Sequence, residues 1–174
     1  MRLTEIAARL SEVTGRDDAK IHIALRSPAM KSLLRFTPGP TSKSPGDYEP
    51  LELVRARLLL AGQACGLTVS ELERVNYALN RNITPKKAGM VPSNLEELAS
   101  GADWIIRIRY VEDIAGERDV YVQIGPEAEL PAGNNAATRV SRALNSIHGT
   151  TDLGYLTIPA ATLIAPLLHL MAED

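Results

Sequence analysis

Residues 35–79 read RFTPGPTSKSPGDYEPLELVRARLLLAGQACGLTVSELERVNYAL, and this stretch decides the predicted fold of the first half of the chain. It opens with a loop at 36–48 that holds three prolines, two glycines and four serine or threonine hydroxyls. Such a composition breaks regular structure and offers hydrogen-bond donors to phosphate. A helix is predicted next, because apolar residues recur at spacings of three and four: Leu51, Val54, Leu58, Ala61 and Cys65.

A second helix is predicted to begin at Thr68. In the segment TVSE at 68–71, the Thr68 hydroxyl and the Glu71 carboxylate can each pair with an otherwise unsatisfied amide, which is the capping-box pattern. Gly66 separates this helix from the one before it, so the two helices are expected to meet across a short turn. The place of Cys65 on the apolar face favours a buried thiol over a reactive one.

Further helices are predicted upstream of the loop. An apolar stripe at 3–13 ends at Gly15, and the segment 17–26 has acidic residues at its start and Arg26 at its end, as the helix dipole favours. Ser27 and Pro28 then restart the chain into a short helix at 29–34. The first 80 residues are therefore predicted to be mainly helical, with one exposed loop.

The order of these features resembles that of MerR-type transcription regulators. The resemblance is carried by Tyr48, by the pair Glu52-Leu53, by Arg55 and Arg57, and by the segment GLTVSEL at 66–72. It implies a winged helix-turn-helix domain at 1–80, with the loop at 36–48 as the wing and double-stranded DNA as the partner. The long helix with which MerR-type dimers pair is not predicted after residue 80, so a homodimer would use another surface.

Candidate DNA contacts follow from this interpretation. Either 17–26 or 28–35 is the element that enters the major groove, and the sequence leaves the two open. Arginine and lysine pair with guanine or phosphate, and serine or threonine with either. The candidates are Arg16, Lys20 and Arg26 in the first segment, Lys31, Ser32 and Arg35 in the second, and Thr41, Ser42, Lys43 and Ser44 in the loop.

The distribution of charge supports a nucleic-acid partner. Residues 1–87 hold 14 Lys and Arg against 9 Asp and Glu, a net charge of +5, whereas residues 88–174 hold 5 against 12, a net charge of −7. An electropositive half joined to an electronegative half is typical of a nucleic-acid-binding module beside a solubilising or protein-binding module.

The second half is predicted to be a small α+β domain at 93–174, after a linker at 81–92 that holds two prolines, a glycine and two adjacent lysines. The segment SNLE at 93–96 is another capping box, and alternating residues at 104–111 and 119–124 predict an antiparallel hairpin. A helix at 137–147, a strand at 155–158 and a final helix from 159 to 171 follow. The final helix is apolar on nearly every side, so another surface must cover it.

Taken together, the sequence predicts an α+β protein that acts as a sequence-specific transcription regulator, as a homodimer on a pseudo-palindromic site, with RNA polymerase left open as a second partner. The alternative is a protein-interaction adaptor that uses a winged-helix scaffold without specific DNA binding. No catalytic motif is recognisable, and no metal or cofactor is expected, because the three histidines are far apart in sequence. The lack of a signal peptide or membrane-spanning run predicts a cytoplasmic protein.

Overall fold

The computed structural model describes residues 1–39, 41, 45–81, 92–130 and 151–172. These residues form seven α-helices and a three-stranded antiparallel sheet, which confirms the predicted α+β class. The helices are α1 (Leu3–Thr14), α2 (Asp18–Arg26), α3 (Pro28–Leu33), α4 (Leu51–Ala64), α5 (Val69–Leu79), α6 (Asn94–Ala99) and α7 (Ala160–Ala172). The strands are β1 (Ile105–Glu112), β2 (Arg118–Gly125) and β3 (Thr151–Ile158), and one 3-10 turn lies at Glu127–Glu129.

Capping residues that are visible in the sequence mark the end of α1 and the starts of α2 and α3. Gly15 ends α1 in the left-handed conformation with φ of 65°, which glycine adopts without strain. The Asp17 carboxylate accepts a hydrogen bond from Lys20 N at 2.9 Å and so caps α2. Ser27 caps α3 through Met30 N at 3.3 Å, and Pro28 occupies the first turn.

The turn between α4 and α5 is also as predicted, with one exception. Thr68 and Glu71 form the capping box that opens α5, and Gly66 has φ of 86°. The prediction that Cys65 is buried is wrong, because the thiol is exposed. Cys65 is the C-cap residue of α4, where the chain leaves the helix, so helical spacing no longer places its side chain on the apolar face.

The sheet has β1 at its centre. β1 pairs antiparallel with β2, as the predicted hairpin requires, and also pairs antiparallel with β3. β3 begins at Thr151, four residues before the predicted start, and its register with β1 shifts between Tyr110 and Val111. The predicted helix at 137–147 and residues 82–91 of the predicted linker lie outside the described residues.

One hydrophobic core joins both halves of the chain. It runs from Ile6 in α1 through Leu58 in α4 to Ile106 in β1 and Leu167 in α7. α7 packs against α1, α4, α6 and β1, which covers much of its apolar surface. Among residues 160–171 of α7, the exposed side chains are Thr162, Ala165, Pro166 and His169. Within the described ranges, no helix is both long enough and apolar enough to span a bilayer.

Candidate nucleic-acid interface

A groove lies between the start of α1, the helices α2 and α3, and the loop at 36–48. Its volume is about 740 Å³. The polar residues that line it are Arg2, Thr4, His22, Arg26, Lys31 and Thr41. None of the described residues that line it is acidic, so the groove combines three permanent cations with hydroxyl donors. This arrangement attracts an anion with several phosphate groups.

The loop that forms one wall of the groove is closed at its base. Thr37 and Asp47 pair through two backbone hydrogen bonds of 2.8 and 2.9 Å, as neighbouring antiparallel strands do. The Phe36 ring packs against the Tyr48 ring with the centroids 5.8 Å apart, and Tyr48 is buried. Gly46 makes this packing possible, because a Cβ atom at that position would overlap the Phe36 ring. The base of the loop is thus fixed by backbone and aromatic contacts.

Arg2 attaches the start of the chain to the same loop. Its Nη1 donates to Pro45 O at 2.6 Å, and its Nε lies 3.3 Å from the Asp47 carboxylate. Met1 and Tyr48 also exchange two backbone hydrogen bonds of 2.8 Å. Because the Arg2 and Asp47 side chains are 44% and 59% exposed, their ion pair is weakly stabilising, and Arg2 is able to exchange it for a phosphate.

Arg26 and Lys31 contribute the other two cations. Arg26 lies in the last turn of α2 and Lys31 in the last turn of α3, and both side chains are exposed. In the part of the chain that the structure describes, no carboxylate lies within salt-bridge distance of either. Their charge is therefore available to a partner.

The structure places the predicted DNA contacts in several locations. Arg26, Lys31 and Thr41 meet at the groove. Ser32 is exposed, and its hydroxyl donates to Ala29 O at 2.8 Å. Ser42, Lys43 and Ser44 lie outside the described residues.

Three other predicted contacts lie outside the groove. Arg16 and Lys20 line a separate cavity between α1, α2 and α4, together with Arg57. Arg35 lines a third cavity, beside Glu52 and Arg55. Helical geometry explains part of this separation: Lys20 and Arg26 are six residues apart, so at about 100° per residue they point about 120° away from each other on α2.

Three polar residues that line the groove, Arg2, Thr4 and His22, are absent from the predicted set of contacts. Arg2 reaches the groove through contacts with residues more than 40 positions away, which no local pattern reveals. His22 did have a local signal, since it lies four residues before Arg26 and shares its face of α2. A prediction that followed helix faces would have included His22 and omitted Lys20.

A buried ion pair supports the junction behind the loop. Arg55 Nε donates to Glu52 Oε1 at 2.9 Å, and the side chains are 2% and 4% exposed. The guanidinium also donates to the side-chain oxygens of Asn76 and, at 3.0 Å, Asn80, both belonging to the α5 region. Burial lowers the pKa of Arg55, and Glu52 opposes that shift. The charge of Arg55 is therefore neutralised inside the protein.

The second carboxylate oxygen of Glu52 accepts a hydrogen bond from Arg35 N at 2.9 Å. Glu52 thus links Arg35, at the start of the loop, to helices α4 and α5.

Comparison with other proteins adds no further assignment: no protein-family model matches the chain, and no curated protein matches it.

Proposed function

We propose that this protein is a sequence-specific regulator of transcription that binds double-stranded DNA through the groove between α1, α2, α3 and the loop at 36–48. One observation carries the proposal: Arg2, Arg26 and Lys31 converge on a groove whose described lining contains no carboxylate. Each cation that pairs with a phosphate releases condensed counterions, which is the main source of affinity for a duplex. Thr41, from the loop, also lines the groove.

We assign the contact with base edges to α3 and not to α2. The first turn of α2 presents Asp17 and Asp18, both exposed, and these carboxylates would repel the phosphates on either side of a major groove. The first turn of α3 contains no acidic residue, and Lys31 and Ser32 are exposed on this helix. The Ser32 hydroxyl is suited to a base edge, and Lys31 is assigned to the flanking phosphate.

A homodimer completes the proposal. A twofold pair of α3 helices would meet two half-sites about 34–36 Å apart, one turn of the duplex, and would double the number of phosphate contacts. The acidic residues of 93–174 would then face away from the duplex, because phosphate repels them.

The test is a titration of a fluorescent random-sequence duplex at several salt concentrations. The wild-type chain is expected to bind at low salt and to weaken as salt rises. Arg26→Gln and Lys31→Gln are each expected to reduce the slope of log K against log salt by about 1, and the double variant by about 2. Arg118→Gln is the matched control, since Arg118 is an exposed arginine on β2, distant in sequence from the residues that line the groove.

Sequence specificity needs a separate measurement. After a preferred site is selected from random duplexes, Ser32→Ala is expected to weaken binding to that site and to leave binding to random DNA unchanged, because base contacts act only on the specific sequence. The proposal fails if the wild-type chain does not bind any duplex at low salt. It also fails if Arg118→Gln lowers the salt slope as much as Lys31→Gln does.

A further inference from the structure

The cavity between α1, α2 and α4 has the composition of a ligand site. Its volume is about 520 Å³, within the range of small-molecule pockets. Its apolar lining comes from all three helices: Leu10, Ile21, Ala24, Leu60 and Ala64. Arg16, Lys20 and Arg57 bring three cations to the same cavity. An apolar interior beside clustered positive charge is complementary to a molecule with an apolar body and an anionic end.

Arg57 is the least exposed of the three cations that line this cavity. It is only partly exposed, and its Nε donates to Leu163 O at 3.3 Å, which fixes the side chain towards α7. Burial lowers the pKa of Arg57, and repulsion from Arg16 lowers it further. Among the residues that the structure describes, no carboxylate lies within salt-bridge distance of Arg16 or Arg57. Asp17 also lines the cavity, but its carboxylate caps α2 by accepting from Lys20 N.

We propose that this cavity binds a small carboxylic acid with an apolar body, such as a medium-chain fatty acid or an arylacetic acid. The carboxylate would pair with the Arg57 guanidinium, whose planar donors match the two carboxylate oxygens, and Arg16 would stabilise the same charge. The apolar body would displace water from the surface formed by Leu10, Ile21 and Leu60. The bound anion would relieve the repulsion between the two arginines.

The ligand site is distinct from the groove proposed for DNA. α2 lies between them: Lys20 and Ala24 line the cavity, whereas His22 and Arg26 line the groove. Ligand binding is therefore testable whether or not the chain binds DNA. A ligand bound in the cavity is expected to restrict the motion of α2, and α2 also carries Arg26.

The experiment is isothermal titration calorimetry of the full chain with octanoate, octanamide and acetate. Octanoate is expected to bind with one site per chain. Octanamide, which lacks the charge, and acetate, which lacks the apolar body, are expected to bind at least about tenfold more weakly. Arg57→Gln is expected to weaken octanoate binding by about tenfold or more, and Arg16→Gln, at an exposed position that leaves the core intact, by several-fold. Lys31→Gln is the control and should bind octanoate as the wild type does.

The apolar side of the site has its own test. Ala24→Leu would fill part of the cavity without changing its charge, and is expected to weaken octanoate binding while the chain keeps its helical circular dichroism. Three results would overturn the proposal: octanamide binding as tightly as octanoate, Arg16→Gln and Arg57→Gln both binding octanoate as the wild type does, or neither octanoate nor phenylacetate binding at about 10 mM.

Discussion

The buried pair of Glu52 and Arg55 gives the sharpest stability prediction. Replacing Glu52 with alanine removes the only anionic partner that the described structure gives Arg55, and it also removes the acceptor for Arg35 N. The guanidinium would keep its hydrogen bonds to Asn76 and Asn80, which carry no charge. Glu52→Ala therefore leaves an uncompensated cation in the core, and this is the perturbation to be measured.

The expected loss is large because solvent does not screen this pair. Both side chains are less than 5% exposed, and breaking a buried ion pair on one side costs about 3–5 kcal/mol. For a domain of this length each kcal/mol lowers Tm by about 2–4 °C, so the expected drop is about 6–20 °C. Glu112→Ala provides the matched control: its pair with Arg118 spans 3.5 Å at the surface and should contribute no more than about 1 kcal/mol.

The assay is urea unfolding followed by circular dichroism, with thermal unfolding as a second measurement. Wild type, Glu52→Ala, Arg55→Met and the double variant form a double-mutant cycle. The double variant buries no unpaired charge, so its loss should be smaller than the sum of the single losses by about 0.5–3 kcal/mol. If Glu52→Ala lowers the free energy of unfolding by no more than Glu112→Ala does, the account of a buried, energetically coupled pair is wrong.

Two further predictions concern the backbone and pH. Gly66→Ala should lower the free energy of unfolding by about 1–2 kcal/mol because φ there is 86°, whereas Gly154→Ala, a glycine without positive φ and with open space around it, should show no such loss in the same urea titration. Hydrogen bonds from the Ser93 amide and hydroxyl hold the pKa of Glu96 below its usual 4.5, so its stabilising contribution is present above pH 4.5 and is lost as pH falls through the lower folded value. The urea midpoints of wild type and Glu96→Gln should therefore differ at pH 7 and approach each other as pH falls below 4.5, and a constant difference would contradict this cause.

Local sequence signals predicted the starts of several helices and the β1–β2 hairpin, but not the contacts between elements that are distant in sequence. Capping residues such as Asp17, Thr68 and Ser93 act within one turn, so the starts of α2, α5 and α6 were predictable. The early start of β3 was not, because Asp152 and Gly154 have low strand propensity and are held by pairing with β1. The packing of α7 on α1 and α4 likewise depends on contacts between residues more than 90 positions apart.

The candidate site shows the same division. Arg26 and Lys31 were predicted because exposed cations near helix ends are visible in sequence. Helix geometry alone would have predicted that Lys20 and Arg26 lie on different faces of α2. The position of Arg2 beside the groove was not predictable, because it depends on contacts between the start of the chain and the loop. The predicted set of contacts therefore combined Lys20 and Arg26, which lie on two separate surfaces of the folded protein.

Many of the residues that carry the resemblance to MerR-type regulators lie inside the protein and not on its surface. Tyr48, Glu52 and Arg55 carry much of that resemblance, and all three are buried. Buried residues determine how the loop packs against α4 and α5. Agreement at these positions therefore indicates similar packing and gives no information about a binding partner. The DNA binding that we propose would depend instead on exposed residues such as Arg26 and Lys31, which take no part in the resemblance. Loss of Glu52 should therefore destabilise the fold, whereas loss of Lys31 should change the salt dependence of DNA binding and leave stability unaltered.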